Sequence, residues 1–95
     1  MNLYSAPDIC LSVAREARGA RLRMNLSRES LSVRSGVPEP SIKRFELTGE
    51  ISLRSLVNIA MVLSAETEFL RLFASERTPS IDEIVSTKTR KRGRK

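Results

Sequence analysis

Histidine and tryptophan are absent from this 95-residue chain, cysteine occurs once, and only three phenylalanines and one tyrosine supply aromatic side chains. Each scarcity removes a class of function. With no histidine, Cys10 alone cannot assemble a zinc-type ligand set, and it cannot close an internal disulfide. The four glycines form no phosphate-cradling loop and no nucleophile elbow. These absences argue against an enzyme, a metal centre or a bound cofactor. No apolar run of 18 or more residues is present to span a membrane, and the opening MNLYSAPDI lacks the charged-then-apolar pattern of a signal peptide. A cytoplasmic, nucleoid-associated protein with no membrane partner is expected.

Charge is the next constraint. The net +6 suggests a uniformly basic protein, but Lys88, Arg90, Lys91, Arg92, Arg94 and Lys95 account for all of it. Residues 1–87 hold 11 basic and 11 acidic side chains and are neutral as a whole. Within that neutral body residues 15–34 carry six arginines against Glu16 and Glu29, whereas residues 66–83 carry five acids against Arg71 and Arg77. One end is basic and the other acidic. A chain of this length makes one small domain near the lower limit of unaided stability, so oligomerisation is expected.

The pattern along the chain is helical, and no internal repeat is evident. Asp8, after Pro7, is read as the cap of a first helix reaching about Met24, with Val13, Ala17, Ala20 and Met24 on its apolar face. Its arginines, Arg15, Arg18, Arg21 and Arg23, fit either a solvated cationic face or a phosphate-facing one. The stretch LSRESLSVRSGVPEPSIKRFELTG then reads as two short helices about a glycine turn. Ser27 caps the first, Leu31 is its buried residue, and Gly36 follows its end, where a left-handed backbone favours glycine. The second runs roughly from Pro38 to Leu47, with Ile42 and Phe45 turned inward and Glu39, Ser41, Lys43 and Arg44 on other faces. That is the grammar of a helix-turn-helix.

Ser52 should cap a fourth helix reaching about Ser64, apolar round much of its circumference and therefore central in a small bundle. A fifth, about Glu66 to Ala74, offers Phe69, Leu70, Leu72 and Phe73, which suit either core packing or a dimer seam. In TPSIDEIV, Ser80 and Glu83 make a capping-box pattern that opens a very short helix with Ile81, Ile84 and Val85 as its apolar face. This piece can fold back on the domain or dock into another protein. The final STKTRKRGRK has no apolar residue and is expected to be a disordered basic tail. The resulting division is residues 1–76 as the domain, 77–87 as a linker or partner-docking segment, and 88–95 as the tail.

From about Val13 to Leu63 the chain resembles the phage Cro and repressor type of helix-turn-helix, the XRE family. The shared features are the Leu-Ser opening, Leu31, the Gly36 turn, and the Ile42, Phe45, Glu46 ending. The resemblance implies an all-α, lambda-repressor-like five-helix DNA-binding domain. It further implies a buried ion pair between Arg21 and Glu46, a framework feature rather than a reader of DNA. RFELTGEISLRSLVNIAMVL with its acidic, aromatic and basic sequel resembles HipB-like antitoxins. That match implies a homodimeric repressor of its own operon that binds an inverted-repeat operator in double-stranded DNA and restrains a toxin such as a HipA-like kinase. Two alternatives share the pattern: a stand-alone or phage-derived regulator, and a protein-binding toxin inhibitor with weak DNA binding.

By position, the resemblance gives phosphate contact to Arg28 and base reading to Arg44, with Lys43 as a phosphate or rim contact and Thr48 at the same surface. Arginine can pair both acceptors of guanine. Pro38 and Pro40 replace a capping residue and a polar reader, which shifts expected readout toward Ser41, Lys43 and Arg44. Glu39 either accepts from a cytosine amino group or simply suits a helix N-terminus. Lys88, Arg90, Lys91 and Arg92 would add sequence-independent affinity. Phe69, Leu70, Leu72, Phe73, Ile81 and Ile84 are the expected dimer or partner interface.

Overall fold

The computed structural model describes residues 4–74, and these form five helices with no strand among them. The helices are α1 (Ala6–Arg23), α2 (Arg28–Ser35), α3 (Glu39–Thr48), α4 (Leu53–Val62) and α5 (Thr67–Arg71). The helices start and stop where local chemistry dictates. Ser27 and Ser52 each accept from the amide three residues on, at 3.0 and 3.1 Å, and so cap α2 and α4. Gly36 and Gly49 end α2 and α3 in the left-handed region, at φ 78° and 84°.

The core is small. Ala14, Leu31, Ile42 and Ile59 are almost fully buried, joined by Leu26, Val37, Phe45 and Leu63. Helix α3 lies against α1 and α2, and α2 lies against α4, so α3 is held from two directions. One side of α3 is thereby left on the outside. The tightest approach involves Gly49, where an added Cβ would lie 2.8 Å from the Cys10 carbonyl carbon and 2.9 Å from the Leu11 nitrogen. Glycine is required there twice over, for its dihedral and for the space.

Several expectations are corrected. Helix α1 is capped by Ser5, and Asp8 is the reciprocal partner in a capping box, its carboxylate accepting from the Ser5 amide. The buried face of α1 runs through Ala14 and Arg21, with Ala17 and Ala20 of the expected stripe packed against the core, while Val13 and Met24 are exposed. Helix α3 begins at Glu39, one residue after the rough start at Pro38, and Pro38 occupies the capping position expected of it, with no side-chain cap bond. Helix α4 is not enclosed by the described residues, since Leu53 and Met61 are exposed and only Ile59 and Ala60 are buried within the helix. Helix α5 is five residues long and buries none of them; Phe69 and Leu70 are half-buried, Leu72 is exposed, and Phe73 is 98% exposed.

No helix of the described residues is long and apolar enough to cross a membrane, and no group of potential metal ligands occurs among them.

Candidate nucleic-acid interface

The exposed side of α3 is set by what its buried side is tied to. Glu46 turns into the protein and its carboxylate collects three guanidinium groups. Arg21 Nε donates to Oε2 at 2.7 Å and Arg21 Nη2 to Oε1 at 3.0 Å, in the forked geometry that suits arginine and carboxylate. Arg28 Nε donates to the same Oε1 at 2.9 Å, and Arg18 Nε stands 4.0 Å away. The third arm of Arg21, Nη1, donates to the Leu26 carbonyl at 2.8 Å, closing the α1–α2 corner. Burial by itself would raise the Glu46 carboxyl pKa, but hydrogen bonds and charge from Arg21 and Arg28 outweigh it and hold the group below its ordinary value of 4.5. The cluster therefore remains ionised, and α1, α2 and α3 meet at one anion.

With Ile42, Phe45 and Glu46 inside, the outer side of α3 presents Glu39, Pro40, Lys43 and Arg44, with Ser41 half-buried. Its first turn is poor in donors. Pro38 and Pro40 have no amide hydrogen, and the Ser41 amide is spent on the Pro38 carbonyl at 3.0 Å. An anion approaching that end meets side chains more than backbone. Helix α2 differs, since its first helical residue is Arg28 and its cap is a serine.

Three of the expected contact residues are already engaged. Arg28, the expected phosphate contact, has a side chain 28% exposed and bound to Glu46, so its outer edge faces solvent. Arg44 forms an ion pair through Nη2 with Glu50, on the loop after α3, both side chains about two-thirds exposed. The Thr48 hydroxyl donates to the Arg44 carbonyl at 2.7 Å and accepts from the Glu50 amide at 3.1 Å, so it secures the end of α3 and has no hydrogen left to give. Lys43 projects from the same helix with no hydrogen-bond or ion-pair partner among the described residues, and Glu39 lies in its first turn.

The place of Arg18 beside Glu46, and of Glu50 beside Arg44, was not anticipated. Arg18 lies one helical turn before Arg21, which puts it on the same side of α1 and was available as a signal. Glu50 is six residues beyond Arg44, across the Gly49 turn, and no helical spacing links them. Lys88, Arg90, Lys91, Arg92, Ile81 and Ile84 lie outside the described residues.

The charge balance is uneven. Around Glu46 the guanidinium groups of Arg18, Arg21 and Arg28 outnumber the carboxylate, while Arg44 and Glu50 cancel each other nearer the end of α3. The surface thus offers cations on one flank and a breakable pair on the other. Comparison with protein-family models, with curated proteins and with solved structures finds no match to this chain.

Proposed function

We propose that this chain is a sequence-specific DNA-binding repressor of the XRE helix-turn-helix type, acting as a homodimer. The observation that carries the reading is the anchoring of α3. A helix joined to its predecessor by a tight glycine turn, fixed through Glu46 to two other helices, presents Lys43, Arg44, Ser41 and Glu39 outward on a rigid support. Such a helix fits the major groove, where a rigid framework sets which base edges its side chains meet. Phosphate contacts fall to the outer edge of Arg28, to Arg18 and to Lys43, and the basic tail adds affinity without sequence information.

The antitoxin role rests on the resemblance of residues 44–63 to HipB-like regulators, and a HipA-like kinase would be the restrained partner. The lambda-repressor-like arrangement of the five helices belongs to the same reading. Apolar side chains left outside the core, Met61 and Phe73 among them, supply surface for a second copy.

The deciding experiment is footprinting of the full chain on the DNA upstream of its own gene. Protection of two half-sites about one helical turn apart is expected. Equal affinity for that DNA and for random duplex at low salt, with or without the neighbouring gene's product, would discard the repressor reading. A stable complex with that product, without any DNA preference, would leave toxin inhibition alone.

A further inference from the structure

Helices α1, α4 and α5 enclose an open apolar groove of about 580 Å³, lined by Val13, Ala17, Leu56, Leu63, Phe69 and Leu72. No core side chain fills it. It lies between elements distinct from the outer face of α3, and the chain leaves α5 directly beside it, since Leu72 belongs to its wall.

We propose that the groove is the docking site for the chain's own segment Ser80–Val85, which folds back onto the domain it follows. Two observations single out this occupant. After Ala74 the only aliphatic side chains are those of Ile81, Ile84 and Val85, clustered within five residues. Reach is ample: Ile81 follows Leu72 by nine residues, roughly 30 Å when extended, while ten-residue α4 is about 15 Å long.

The same tether decides between this segment and a second copy. A short connection within one chain gives an effective concentration on the order of millimolar, which a second copy matches only at a comparable protein concentration. The chain's own segment reaches the groove before another molecule's segment does.

Paramagnetic broadening in the full chain tests this. Cys10→Ser removes the exposed native thiol, and Ser86→Cys carries a spin label beside the docking segment. The methyl signals of Leu56 and Leu63 should lose most of their intensity, and should regain it when Ile81→Asp and Ile84→Asp are added. A mixture of spin-labelled, NMR-silent chains with unlabelled-thiol, methyl-labelled chains should show no such loss. If the two aspartates leave the loss unchanged, proximity through the tether alone explains it and the proposal fails. Loss in the mixture would seat a second copy in the groove instead, and no loss anywhere would leave the groove to a different partner.

Discussion

Arg21 holds Glu46 through two nitrogens while its third donates to the Leu26 carbonyl, so a single guanidinium joins α1, the α1–α2 corner and α3. Both residues are only 6% exposed. The arrangement is therefore a buried ion pair whose remaining donors are satisfied, the condition under which such a pair can offset its desolvation.

Removing one partner should be costly. Arg21→Met leaves the Glu46 carboxylate buried with Arg28 and the more distant Arg18 as its remaining cations, and a loss of roughly 3–5 kcal/mol in unfolding free energy is expected, as for buried pairs generally. The double variant Arg21→Met, Glu46→Leu should recover much of it. Urea unfolding of the four proteins measures the coupling, and additive single effects would show that the two side chains act independently.

The pair also fixes the acid limb of stability. Glu46 has a folded pKa below its ordinary value of 4.5, so the unfolded chain binds its proton more tightly than the folded chain does. The stabilisation is fully present above that ordinary value and fades as pH falls through the lower folded pKa. Glu46→Gln should make the slope of unfolding free energy against pH shallower below about pH 4.5 and leave it unaltered near neutrality. Identical slopes for the two proteins would place the acid-sensitive group elsewhere.

Gly36 and Gly49 form a built-in control pair. Both have positive φ, but a Cβ on Gly36 meets nothing within 4 Å, whereas one on Gly49 collides with the Cys10–Leu11 backbone at under 3 Å. Gly36→Ala should cost about 1–2 kcal/mol, the strain of a left-handed alanine. Gly49→Ala should cost clearly more, because α3 must also shift away from α1. Thermal unfolding with equal losses for the two would mean that the α1–α3 contact yields easily.

The sequence made the helices legible because their signals are local. Ser27, Gly36, Ser52 and the Ile42–Phe45 spacing act within one or two turns, and all lie where those rules put them. The face of α1 was misjudged for an opposite reason. Its buried stripe contains Arg21, a charge that hydropathy assigns to solvent; the expected ion pair with Glu46 placed it inside, and the apolar spacing did not. The inwardness of α4 was overstated because apolar content cannot distinguish core from a surface awaiting cover. At the outer face of α3, residue types were readable but their engagements were not. Arg28 is held from α3, and Arg44 is held across a turn, by partners that no periodicity connects to them.

The Arg44–Glu50 pair leads to a prediction about DNA. If Arg44 reads a base, it must first leave a carboxylate, and an exposed pair of this kind is worth about 0.2–1 kcal/mol. Loose contact with phosphate barely repays that loss, whereas a bidentate contact with guanine gives roughly 1–3 kcal/mol of discrimination. Operator binding, in which Arg44 must leave Glu50, bears the whole cost of the pair, whereas unspecific binding bears at most the same cost because Arg44 can stay paired. Glu50→Gln, which keeps the shape and removes the charge, should strengthen operator binding by up to about fivefold and binding to random duplex by no more, so that the ratio between them holds or rises. Arg44→Ala should instead lower operator affinity and relax preference at one base pair, with little change on random duplex. Fluorescence anisotropy on operator and random duplexes at matched salt separates the two effects. A Glu50→Gln protein with unchanged operator affinity would make the pair a bystander at the surface, leaving the choice of base to Lys43, Ser41 and the shape of the groove.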